Sequence, residues 1–287
     1  MRRTVALSAS LLLTLAACGG GSGSSTVTVV PPSSTTPLRK PVVSVPAVAP
    51  TSLRVDDLVK GDGPPAIDGD LLVVHYVGVR QADGTEFDNS YDQGEPIQLT
   101  LGVGKVIPGW DQGLVGVQQG GRRQLDVPAD LAYGDSPPAT GVIQPGDALT
   151  FVIDVLAVLP ASSAADQPQV TVKPSGHVTK AKVSDLVTGE GSAPGEGEHV
   201  AVQFTLYRAD TGDQLLTSWG NVPAVFVYGA TGGTYPGIDE TVRGMRIGGR
   251  RQAHLPAADM FNGQGNASLS LPAGVDIVLV LDLVDVY

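Results

Sequence analysis

The chain has 287 residues, enough for two domains of ordinary size. Aromatic residues are few at 5%, while 37 glycines and 22 prolines favour short strands and turns over long helices. A formal net charge of −11 argues against a nucleic-acid partner and against electrostatic attachment to an anionic membrane.

The first stretch of the chain is not read as part of a fold. Arg2 and Arg3 form a basic region, and Val5 to Leu15 form an apolar run too short for a permanent span. Leu15-Ala16-Ala17-Cys18 follows, small residues ahead of the only cysteine, so no internal disulfide can form. The pattern resembles the bacterial lipoprotein signal. That likeness implies a signal peptide over residues 1–18, lipidation of Cys18, and an extracytoplasmic protein held to the membrane through its N-terminal lipid. Ordinary signal-peptidase cleavage with release is the rival reading. Residues 19–50 are rich in Gly, Ser, Thr and Pro and lack Asp, Glu and aromatics, which predicts a disordered tether.

Residues 51–160 carry the first folded unit. Val73, His75 and Val77 alternate with Val74 and Tyr76, as in a strand. After the turn at Gly102-Val103-Gly104, Ile107, Trp110, Leu114 and Val117 recur on one helical face, with Pro108 suited to a first turn. Gly113 and Gly116 interrupt that face, so it predicts a short helix laid on a sheet, ending near Val117, with Trp110 in the seam. Arg123, Leu125 and Val127 alternate until Pro128 ends the run, and Leu149, Phe151, Ile153 and Val155 share one strand face.

The unit is then repeated. Gly120-Gly121-Arg122-Arg123-Gln124 returns as Gly248-Gly249-Arg250-Arg251-Gln252, an offset of 128 that also relates Val55 to Val183, Asp57 to Asp185, and Pro108-Gly109 to Pro236-Gly237. Two copies are too few for a solenoid. They predict two domains, the second over 179–287, joined by a linker over 161–178. Arg122 and Arg123 are expected on a solvated strand despite their repetition. His75, His177, His199 and His254 show no metal-ligand spacing, and Gly102-Val103-Gly104 lacks the frame of a phosphate loop.

Val73-Val74-His75-Tyr76-Val77-Gly78, Gly84-Thr85-Glu86-Phe87-Asp88-Asn89-Ser90, Val106-Ile107-Pro108-Gly109-Trp110, Asp130-Leu131-Ala132-Tyr133-Gly134 and Leu149-Thr150-Phe151 stand in that order. Together they resemble the FKBP-type peptidyl-prolyl cis–trans isomerases, over roughly Val55 to Leu159. The resemblance implies an α+β fold of two tandem domains, each an antiparallel half-barrel sheet wrapped around a short helix. It implies catalysis at X–Pro bonds by Tyr76, Phe87, Asp88, Trp110, Tyr133 and Phe151. Ile97, Val106, Ile107, Val142 and Ile143 would bind substrate, and Trp110 would form the floor. The implied partners are proline-containing polypeptides and macrolides such as rapamycin. No cofactor or metal is called for, because rotation about the imide bond needs neither.

Ile97 stands where many members have an aromatic residue, Ala139 where many have histidine, and Gln93 where many have arginine. In the second copy, the offset turns Tyr76, Phe87, Asp88, Trp110, Tyr133 and Phe151 into Phe204, Leu215, Leu216, Ile238, Phe261 and Leu279. That copy is expected to fold without isomerase activity. Taken singly, the aromatic residues are ordinary core residues. A non-catalytic binding or chaperone module on the same scaffold is therefore the alternative function, and a purely structural surface lipoprotein is a third.

Overall fold

A computed structural model of the chain describes residues 39–139, 141–230 and 234–287. The leader, Cys18 and the first part of the tether lie outside the described residues.

The first copy contains β1 (Arg54–Val59), β2 (Leu71–Arg80), β3 (Glu86–Asn89), β4 (Ile97–Thr100), α1 (Pro108–Gly113), β5 (Arg122–Val127) and β6 (Leu149–Leu159). Its antiparallel sheet runs β1-β5-β6-β2-β3, and β4 pairs the other half of β2. The second copy repeats the plan with β7 (Lys182–Val187), β8 (His199–Arg208), β9 (Gln214–Thr217), β10 (Ala224–Val227), α2 (Pro236–Val242), β11 (Arg250–Leu255) and β12 (Ile277–Val286). Its order is β10-β8-β12-β11-β7, with β9 on the other half of β8. The architecture is the α+β tandem that the repeat implies.

Alternation along β2 explains where the core sits. Leu72 and Val74 face inward to a cluster with Leu114, Leu125, Leu149, Phe151 and Ile153. Leu71 and Val73 face the other way and join Ala157, Leu159 and Ala201 in a separate apolar cluster. Val225, Val284 and Tyr287 pack against that cluster, so it joins the two copies. Both copies belong to one compact unit.

α1 is shorter than the apolar spacing suggests. It stops at Gly113, although Leu114 and Val117 stay buried beyond its end. Gly113 ends the helix and has a second role as well. Gly109 and Gly113 lie flush on β5, where a Cβ would stand 2.4 Å from Val127 Cγ1 and 2.7 Å from Leu125 Cδ2. Glycine four residues apart is what lets the helix sit so close to the strand.

The repeated arginines are not free in solvent either: Arg123 and Arg251 are buried, and Arg122 and Arg250 are partly exposed but ion-paired. Arg122 Nε and Nη2 grip both oxygens of Asp154 at 2.6 and 2.9 Å, and Arg123 is buried at 6% exposure. Arg123 pairs with Asp57, Arg250 with Asp282, and Arg251 with Asp185. Each acid recurs at the same offset as its arginine, so the ion pairs were duplicated whole.

The end of the stretch read as a tether is also held. Lys40 Nζ pairs with Glu86 and Asp92 at 2.8 and 2.7 Å. The Ser44 and Pro46 carbonyls accept from the side chains of Gln124 and Gln81 at 3.2 and 2.6 Å. The linker does the same for the second copy: Val170 and Val172 pack on Tyr207, Ala209, Val278 and Val280, and Ser175 N donates to Ala209 O at 2.7 Å. Pro46 and Pro174 stand 128 residues apart, as do Gln81 and Ala209. Each repeat therefore begins with a strap along its sheet. The first strap is held mostly through its backbone carbonyls and the second through two valines and a backbone N–H, so neither shows a long hydrophobic period in the sequence.

Candidate active site

Four strands, one helix and two loops bring the expected residues together. Tyr76 comes from β2, Phe87 and Asp88 from β3, Ile97 from β4 and Phe151 from β6. Val106 and Ile107 lead into α1, which carries Trp110. Tyr133 follows a single 3-10 turn, Ala129–Leu131. Pro108 starts α1 without a side-chain cap, and the Asp111 carboxylate fastens the preceding turn by accepting from Gly102 N and Gly104 N, both at 2.9 Å.

Trp110 lies at the bottom with 4% of its surface exposed. Its ring meets Tyr76 and Phe151 edge to face, at centroid distances of 5.3 Å each and interplanar angles of 86° and 89°. Phe87 meets Phe151 the same way at 5.7 Å. Crossed rings suit the aromatic quadrupole and lock one another in place. Tyr76, Phe87, Ile97, Val106, Ile107 and Tyr133 pack against the same cluster but stay half-buried, so they form the wall around the buried indole. Ile143 is buried in that cluster. Val142 is half-buried on the loop before β6 and is not part of it.

Polar groups are sparse. Asp88 is exposed at the rim, and its carboxylate accepts a short hydrogen bond from the Tyr76 hydroxyl. Burial, then that bond, raises the Tyr76 pKa well above the usual phenol value. Burial, then the Asp88 charge, raises that of Tyr133. Both phenols are held as donors. The Ile107 N–H meets no acceptor among the described residues, which leaves it free to point at a ligand. The indole Nε1 is buried without a partner, so the tryptophan serves here as an apolar surface. Gln93 donates to the Asn89 carbonyl at 3.1 Å instead of pairing with Asp88. No group of metal-ligating side chains occurs among the described residues.

The sequence reading missed two supports of this site, Asp111 and the Arg123–Asp57 pair. Asp111 left no signal distinguishable from a surface acid. The Arg123–Asp57 pair did leave one, in the repetition of both partners.

The second copy places Phe204, Leu215, Ile238 and Phe261 against its own core, all half-buried, with Leu279 inside it. Leu216 takes the place of the rim acid and is 41% exposed. Tyr235, in the place of Ile107, lays its ring 4.9 Å from Phe261 at 56°. The corresponding face of this copy has two of its own rings in contact and lacks the phenol–carboxylate pair.

A half-barrel sheet around a short helix, with crossed aromatic rings under a nearly apolar wall, defines the class. The model of the FKBP-type peptidyl-prolyl cis–trans isomerases matches residues 63–156 and 190–284, well over half of the chain, and the chain belongs to that family. It is similar to an FK506-binding protein of Streptomyces anulatus, 49% identical over 122 residues, which are 42% of this chain and 98% of that protein. It is 45% identical over 97 residues to the peptidyl-prolyl cis-trans isomerase FPR2 of Saccharomyces cerevisiae, covering 34% of this chain and 71% of that one. Among solved structures, AtFKBP13 aligns with 38% identity and a TM-score of 0.35 over 39% of this chain and 96% of its own.

Proposed function

We propose that the chain isomerises X–Pro bonds through its first copy alone. The observation that carries this reading is the Tyr76–Asp88 pair beside the buried Trp110, replaced in the second copy by Phe204, Leu216 and Ile238. Rotation about an X–Pro bond costs amide resonance, so the catalyst must favour the twisted imide over the planar one. A dry aromatic cleft suits that task, because the twisted imide is less dipolar and gives up water more readily. The Ile107 N–H and the Tyr133 hydroxyl are placed to orient substrate carbonyls, while the Tyr76 hydroxyl is engaged by Asp88. No proton needs to leave the protein.

The substrates are proline-containing polypeptides, and the same apolar wall suits macrolide ligands. The Leu15-Ala16-Ala17-Cys18 pattern supports an anchor through a lipid on Cys18. The protein would then assist the folding of exported chains at the outer face of a bacterial membrane, where slow prolyl isomerisation also limits folding. The mass of the mature N-terminus tests the anchor.

The activity is tested on the full chain with a proline tetrapeptide. The unaltered chain should speed isomerisation, and Asp88→Leu combined with Trp110→Ile should abolish it while circular dichroism is unchanged. Undiminished turnover in the folded double variant would move the activity to the second copy and end this reading.

A further inference from the structure

We propose that Arg123 is a positioning residue, which sets the height of the indole floor and through it the rate of isomerisation. The proposal rests on the isomerase reading.

α1 has six residues, too few to be stable by itself, with no side-chain cap at its start and no basic residue in its last turn. Its final carbonyls need partners from elsewhere. Arg123, reaching across from β5, provides them: Nη1 donates to Gly113 O at 2.8 Å and to Val115 O at 2.9 Å. The rest of the same guanidinium is fixed to β1. Nε donates to Asp57 Oδ1 at 2.6 Å and Nη2 to Asp57 Oδ2 at 3.1 Å. The Arg123 side chain is 7% exposed. A planar fork can hold a carboxylate and two carbonyls at once, and a lysine ammonium cannot match that geometry.

Trp110 lies one turn before the clamp, and its own carbonyl accepts from Leu114 N at 2.9 Å. Gly109 and Gly113 let α1 rest directly on β5, with little side chain between helix and strand to take up a shift. The indole is therefore registered to β5 and β1 through Arg123.

The second copy carries the same clamp. Arg251 Nε donates to Asp185 Oδ1 at 2.6 Å, and Nη1 donates to Thr241 O and Arg243 O at 2.9 and 2.7 Å. There the helix carries Ile238 instead of an indole. A clamp that served folding alone would matter equally in both copies. A clamp that also positions the cleft floor affects turnover only in the first.

The experiment uses the full chain carrying Trp219→Phe, which leaves Trp110 as the only tryptophan. Arg123→Lys and Arg123→Met are compared with Arg251→Lys and Arg251→Met. Both pairs should lower the urea midpoint. Only the Arg123 pair should lower kcat/KM, by about 10- to 100-fold, and shift Trp110 emission to the red, with lysine intermediate. If Arg123→Met does not fold, Asp57→Asn against Asp185→Asn makes the same comparison, because it loosens the anchor and keeps the guanidinium. Folded Arg123 variants with unaltered emission and turnover would overturn the proposal. So would Arg251 variants that lose as much activity. A Trp219→Phe chain without any turnover would instead overturn the isomerase reading, and the emission shift would then decide Arg123 alone.

Discussion

The Tyr76 hydroxyl donates to the Asp88 carboxylate from β2 to the neighbouring β3, so the rim acid of the cleft has a phenol and not a cation for its partner. The arrangement keeps a proton donor beside an apolar floor without placing a buried ion there. A salt bridge at this site would have to be desolvated each time a peptide bound.

Activity should therefore show no alkaline limb. Burial and the Asp88 bond raise the Tyr76 pKa, and burial with the Asp88 charge raises that of Tyr133. For a raised folded pKa, the stability contribution is complete below the unfolded phenol value of about 10 and is lost only as pH climbs through the folded value. The rate profile at constant substrate should be flat from pH 6 to 9.5. A phenol titrating in activity between pH 8 and 9.5 would contradict the assignment.

The pair should also act as one unit. Tyr76→Phe and Asp88→Ala each remove the same hydrogen bond, so their effects on kcat/KM should fail to add by about 1 kcal/mol. Asp88→Ala should scarcely alter the urea midpoint, because the residue is exposed. Strict additivity in the double-mutant cycle would show that the two groups work separately.

Gly109→Ala should be costly for a reason visible only in three dimensions. Its Cβ would lie 2.4 Å from Val127 Cγ1, and a strand-anchored branched residue has little room to yield. Overpacking of this kind costs about 1–3 kcal/mol. Gly237→Ala, facing the more flexible end of Leu255 at 2.9 Å, should cost less. Urea titration of both variants, with turnover measured alongside, tests the ranking. Equal stability would mean that α1 can lift from β5 freely.

These cases mark what could be read from the chain alone. The duplication, the strand faces and the ring-lined cleft were legible because each writes a local period or an ordered motif. Trp110 was legible as a residue of the helix–sheet seam because it shares one helical face with Ile107, Leu114 and Val117, whereas its place at the cleft floor came only from the family resemblance. The arginine clamp was overlooked although both partners repeat at one offset, because Asp57 lies 66 residues from Arg123 and an arginine beside a glycine turn looks solvated. The straps were missed for a related reason: an extended segment held by a few backbone hydrogen bonds and one or two apolar contacts resembles a free one in composition. The role of Gly113 could not be separated from a helix break until Leu125 was seen against it.

The contact between the copies should carry its own pH dependence, through Asp285. Its Oδ2 accepts from Gln119 Nε2 at 3.1 Å across the two domains, and its Oδ1 accepts from Val286 N at 2.9 Å. Neither partner is a cation, and burial raises the carboxyl pKa above its ordinary value of 3.8. A raised folded pKa means that the stabilising form is the protonated one. Its contribution is complete below the unfolded value and is lost as pH rises through the folded value, so at pH 7 the charge weakens the fold. Asp285→Asn, neutral throughout, should be more stable than the unaltered chain at pH 7, and the difference should close below about pH 4. Urea titrations at the two pH values measure it. A variant less stable at pH 7, or a gap that is the same at both, would show that the carboxylate is held favourably at the domain contact.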